Sequence, residues 1–167
     1  MGKGFDGVPS DVVNVIKQHM KLAAGAGAPG VFLPLVDEAA IAALWGRMFY
    51  KIGQWHQVTL TASECTKIGT ACIAGVFAYK TGSRILTLIV SIVTLGLAVP
   101  AAIAGNVALN AIFTRQVGLA FHKMLDTDGI NGKTAIEIGK ILLHYFNPFP
   151  SFGEMKDIIK QVRSGAD

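Results

Sequence analysis

The residues that could do chemistry are an acidic loop, four histidines, two cysteines and a glycine-rich stretch. The loop Asp126–Glu137, DTDGINGKTAIE, puts Asp126, Asp128 and Glu137 at positions 1, 3 and 12 of a calcium-loop register. A calcium loop also wants an oxygen ligand at its fifth position and glycine at its sixth. Ile130 and Asn131 stand there instead, so a turn with helix caps accounts for the same residues. His19, His56, His122 and His144 show no HExxH or other paired ligand spacing. Cys65 and Cys72 are not a CxxC pair and read as small buried residues on one helix face. The stretch GAGAPG, Gly25–Gly30, lacks the lysine and the preceding strand of a phosphate-cradling loop. No catalytic residue, cofactor or metal ligand is expected, and the chain is not expected to be an enzyme.

A different pattern stands out in the apolar part of the chain. From Ile85 to Thr114 there is no charged residue. Such a run must be buried, in lipid or in protein. Gly96 and Pro100 lie near its middle and suggest a hairpin of two helices turning there. A single tilted or kinked span is the competing reading, since one crossing needs about 20 apolar residues. Lys80 and Arg84 precede the run, and Arg115 and Lys123 follow it. Positive residues tend to stay cytoplasmic, so basic flanks at both ends favour the hairpin. Its second arm carries Asn106, Asn110 and Thr114 at four-residue spacing, a polar stripe on an apolar helix. In lipid such residues face a partner helix or a water-filled path.

Composition points the same way. The chain has 167 residues, 51% hydrophobic and only 16% charged, against a usual charged share of about 25%. Mean hydropathy is +0.48. A membrane, an obligate oligomer or both would resolve so sparse a polar coat. The net charge of +4 suits anionic lipid headgroups. Nucleic acid is not expected as a partner, because the basic residues are scattered rather than striped. Nineteen glycines allow close helix approach and favour self-association. Residues 1–10 are polar and glycine-rich with no apolar secretory core, which leads to the expectation of a cytoplasmic start and reduced thiols.

The elements that must position these residues are all helical. Ser10 caps a first helix reaching about Ala24. Residues 1–30, that helix and its glycine-rich linker, lead into a core at 31–146 and a C-terminal part at 147–167, all in a single domain. A second helix runs from about Asp37 to Trp55, with Ile41, Leu44, Trp45, Met48, Phe49 and Ile52 on one stripe. Thr61-Ala-Ser-Glu64 opens a third as a capping box, and Gly69 and Gly75 inside it imply close packing. A helix from Pro100 to about Leu125, one from about Thr134 to Phe146 and one from Ser151 complete an all-α bundle of six to seven helices around the Ile85–Thr114 hairpin.

The segment Phe32–Thr61, with Pro34, Asp37, Glu38, Met48 and Gly53, resembles the opening of a bacterial helical domain family of unknown function. That domain is found in YcjF-like inner-membrane proteins and alongside Era-like or dynamin-like GTPases. Val99–Leu125, with Pro100, Gly105, Thr114 and Gly118, is similar to its later part. The resemblance covers about Phe32–Phe146 and carries over no catalytic residues. It implies a helical, membrane-associated module on the cytoplasmic side of the inner membrane, with a separate GTPase as a possible partner. The residues thus lead to a non-enzymatic protein that inserts or buries an apolar hairpin, contacts lipid and self-associates. A membrane-permeabilising protein and a soluble helical adaptor are the alternatives.

Overall fold

A computed structural model describes residues 5–25, 38–80, 101–147 and 151–163. The described residues are all-helical and pack as a bundle. Six helices follow in order: α1 Ser10–Gly25, α2 Glu38–Trp55, α3 Ala62–Lys80, α4 Ala101–Thr127, α5 Ala135–Tyr145 and α6 Phe152–Arg163. The hairpin turn expected at Gly96–Pro100 and the flank Arg84 lie outside the described residues.

Local chemistry explains where these helices begin. Thr61, Thr134 and Ser151 each accept a hydrogen bond from the backbone N–H three residues on. Glu64, Glu137 and Glu154 each reach back to the N–H of the capping residue at 2.8 Å. Each pair satisfies two N–H groups that a helix start otherwise leaves to water. The middle pair uses Glu137, so this carboxylate caps α5. The first aspartate of the same loop, Asp126, points elsewhere, and Asp128 accepts from the Tyr145 hydroxyl at 2.8 Å.

Packing follows the apolar stripes. On α2, Ile41, Trp45, Met48, Phe49 and Ile52 are buried, while Arg47, Lys51 and Gln54 face outward. The stripe is therefore a core face. Helix α4 is the hub, packing against α1, α2, α5 and α6. Every residue from Asn110 to Gly118 is buried. Ala111, Ile112, Phe113 and Val117 point in different directions around the helix, so burying them all encloses the polar residues between them as well. Cys65, Ile68 and Cys72 form the buried stripe of α3. Burial pushes the Cys65 thiol up to about 11 and the Cys72 thiol up to about 12, so both stay protonated.

Glycine lets α3 sit close on α2. A Cβ at Gly69 would stand 2.6 Å from the Ala42 carbonyl oxygen, which is fixed backbone. Gly69→Ala gains about 1 kcal/mol of helix propensity and loses roughly 1–3 kcal/mol to overpacking. A lower urea midpoint with an unchanged slope is the expected result.

His19 sets a pH dependence. It is buried on α1, and its Nδ1–H donates to the Val15 carbonyl at 2.7 Å. Burial lowers its pKa below 6.5, the Val15 bond opposes this, and Lys51 and Arg47 lower it further. A depressed folded pKa means that the unfolded chain binds the proton more readily. Its contribution to stability is present above 6.5 and is lost as pH falls through the folded value. Denaturant titrations at stepped pH below 6.5 should show falling stability. His19→Gln should flatten that slope.

Candidate functional site

The ends of α2 and α4 bring His56 together with His122 and Asp126, a pair 66 residues further along the chain at its nearer member. Helix α2 stops in a Schellman turn: Val58 N–H donates to the Gly53 carbonyl at 2.9 Å and Gln57 N–H to the Gln54 carbonyl at 3.0 Å. Gln57 takes the left-handed position, φ 58°, that glycine usually fills. This turn leaves His56 at the very end of α2, facing α4. On α4, His122 and Asp126 lie one turn apart on the same face.

The geometry is specific. His56 Nε2 and His122 Nδ1 lie 2.8 Å apart. The other two ring nitrogens face the carboxylate: His56 Nδ1 is 3.5 Å from Asp126 Oδ1, and His122 Nε2 is 3.4 Å from Asp126 Oδ2. Trp55 stands edge-on to both rings, with centroids 4.8 Å from His56 and 5.9 Å from His122. His122 is buried, His56 partly so, and Asp126 is exposed. Burial holds His56 below its ordinary pKa, His122 adds to this and Asp126 opposes it. His56 also lines an open cleft of about 550 Å³ with Glu64, Asn131 and Lys133.

Proton accounting limits what this arrangement can do. Two ring nitrogens at 2.8 Å need one proton between them: none leaves two lone pairs opposed, and two leave N–H against N–H. The cluster can share a proton across the rings and hand one to Asp126. It can also exchange the shared proton for a cation. Among the described residues, His56, His122 and Asp126 are the group able to gather donor atoms around one ion. Their positions on separate helices, 66 residues apart for the two rings, explain why spacing alone does not reveal them. The i, i+4 pair His122/Asp126 is the legible part of the signal.

The residues singled out from sequence are placed differently. Asn110 and Thr114 are buried in the bundle, and the Trp45 indole N–H donates to the Thr114 hydroxyl at 3.0 Å. Asn106 lies in α4 and Lys80 ends α3, but their side chains are outside the described residues. Arg115, expected as a basic flank of the apolar run, is 1% exposed. Its Nη1 and Nη2 both donate to Glu154 Oε1 at 3.3 Å, and its guanidinium lies 4.6 Å from the Phe5 ring centre. Lys123 alone of these basic residues is seen on the surface, 5.6 Å over the Tyr145 ring. The reason is α4 itself: enclosed by four helices, it carries position 115 inward. Burial pulls the Arg115 pKa down while Glu154 and Asp157 hold it up, and a guanidinium stays charged regardless.

Compared with known protein families, with curated proteins and with solved structures, the chain matches none.

The two flanks should therefore respond differently to truncation. Arg115→Ala removes packed volume and strands the carboxylate of Glu154, at a cost of roughly 3 kcal/mol. Lys123→Ala should cost a small fraction of that. Chemical denaturation of the two variants side by side measures the difference.

Proposed function

We propose that this chain is a non-enzymatic helical protein associated with the cytoplasmic side of the inner membrane. In this reading the bundle carries an apolar insertion segment into lipid, and copies associate through small residues. One observation carries it: the uncharged run from Ile85, entered through Lys80 and Arg84. The bundle takes the end of that run, Asn110–Thr114, into its own core. The part assigned to lipid is therefore Ile85–Leu109, shorter than the uncharged run itself. Among the described residues, no helix is long and apolar enough to cross a membrane. Two arms of at most about 15 residues reach roughly 22 Å each at helical rise, short of a full crossing, so the proposed contact is a re-entrant insertion. The resemblance to the YcjF-like domain family supports the same placement and adds a separate GTPase as the partner to look for.

The burial of Asn110 and Thr114 favours a second reading, a helical adaptor that keeps the whole run in protein. It counts against a permeabilising protein, since the Thr114 hydroxyl is already taken by Trp45. The bundle would have to open before the stripe could line a path.

Carbonate washing and flotation with anionic vesicles test the proposal. The chain should float with the vesicles and resist carbonate. Ile89→Lys with Ile92→Lys should release it, because each lysine costs roughly 2.5–3.5 kcal/mol near the bilayer centre. A wild-type chain that stays monomeric in water and does not float would sink the membrane reading in favour of the adaptor.

A further inference from the structure

The histidine–aspartate cluster is independent of the apolar segment, and its chemistry points to a cation. We propose that His56 and His122 chelate a divalent first-row transition ion, with Asp126 as the carboxylate that orients both rings. The ion takes the place of the proton between His56 Nε2 and His122 Nδ1.

Three observations carry this. The first is the spacing. Those nitrogens are 2.8 Å apart. Adjacent donors on a square-planar or octahedral ion, with metal–nitrogen bonds of about 2.0–2.1 Å, lie about 2.9 Å apart, whereas tetrahedral donors lie about 3.3 Å apart. For both lone pairs to meet on one ion, each must stand about 45° off the line between the two nitrogens, so ion binding turns both rings out of their direct hydrogen bond.

The second is proton balance. With both facing nitrogens bound to the ion, each ring carries its single proton on the far nitrogen. Those nitrogens, His56 Nδ1 and His122 Nε2, face the two oxygens of Asp126 at 3.5 and 3.4 Å. An approach of a few tenths of an ångström by Asp126 turns these contacts into hydrogen bonds, the carboxylate–histidine–metal arrangement that fixes ring orientation and raises ligand basicity. The opposite choice, coordination through the nitrogens facing Asp126, leaves two N–H groups opposed at 2.8 Å. Proton balance therefore favours coordination through the facing nitrogens.

The third is the field. His56 ends α2, and His122 and Asp126 lie in the last two turns of α4, which stops at Thr127. The C-terminal ends of two helices each carry a partial negative charge. Together with Asp126 they stabilise a cation where they meet. The left-handed Gln57 turn keeps His56 at this junction, a strained position held next to the site. Imidazole donors with near-right-angle spacing suit nickel or copper ahead of zinc.

The test is calorimetric titration of the full chain with Ni²⁺, Cu²⁺ and Zn²⁺, followed by thermal unfolding with and without the ion. One ion per chain, a raised Tm, and Ni²⁺ or Cu²⁺ bound more tightly than Zn²⁺ are expected. The Cu²⁺ form should show two imidazole nitrogens in its electron paramagnetic resonance spectrum. His56→Gln and His122→Gln should each abolish binding, and Asp126→Asn should weaken it about 10–100-fold. His144→Gln, on an exposed histidine outside the cluster, should leave it unchanged. Circular dichroism separates loss of the site from loss of the fold, and the partly exposed His56 carries the test if His122→Gln unfolds. No binding by the wild type at millimolar ion, or unchanged affinity in a folded His56→Gln, overturns the proposal. Tighter binding of Zn²⁺ than of Ni²⁺ overturns the chelate geometry. None of these readouts involves lipid, so the result stands apart from the membrane assignment.

Discussion

Helix α4 is buried on all sides from Asn110 to Gly118, so apolar residues such as Ile112, Phe113 and Val117 and polar ones alike are enclosed by protein. That constraint organises the described bundle. Four other helices supply the enclosure, and each lends it an apolar stripe. Trp45, Met48 and Phe49 from α2 and Ile16 and Met20 from α1 belong to the same buried core, with the Phe49 and Phe121 rings tilted against each other at 4.4 Å between centroids. Glycine keeps the contact tight: a Cβ at Gly118 would meet Ile16 and the Met48 sulfur at 2.8–3.0 Å.

Enclosing a helix on every side also buries whatever polar groups it carries. A buried hydroxyl or guanidinium without a partner costs more than the net worth of a hydrogen bond. The bundle meets this with specific partners from other helices. Trp45 donates to Thr114, and Glu154 binds Arg115 while also capping α6. One carboxylate thus starts a helix and neutralises the charge that this helix covers. At the far end of α4 the same geometry gathers two imidazoles and a carboxylate beside Trp55. The chemistry-bearing cluster exists because α2 and α4 end together.

Much of the fold is legible in the residues themselves. The spacing of Ile41, Trp45, Met48, Phe49 and Ile52 marks a core face because the helical period puts those positions on one side. Thr61 with Glu64 and Ser151 with Glu154 mark helix starts because the capping bonds are local. The Cys65 and Cys72 pair read correctly as buried for the same reason. Other residues were not legible. Arg115 looks like a basic flank because its sequence neighbours are apolar and uncharged, yet its answering charge is 39 residues away. Asn110 and Thr114 look like a stripe in either lipid or protein, since the period is identical in both.

The sequence by itself determined which segments are helical, where the caps sit and which faces are apolar, because those depend on residues within a turn or two of one another. It also leads to the expectation that the uncharged run from Ile85 is buried, since apolar surface in water is costly in any fold. Only the tertiary structure decided that the end of this run packs against protein, that Arg115 points inward, and that His56 meets His122 and Asp126. Those outcomes depend on how α2, α4 and α6 cross, and no local spacing encodes where two helix ends meet.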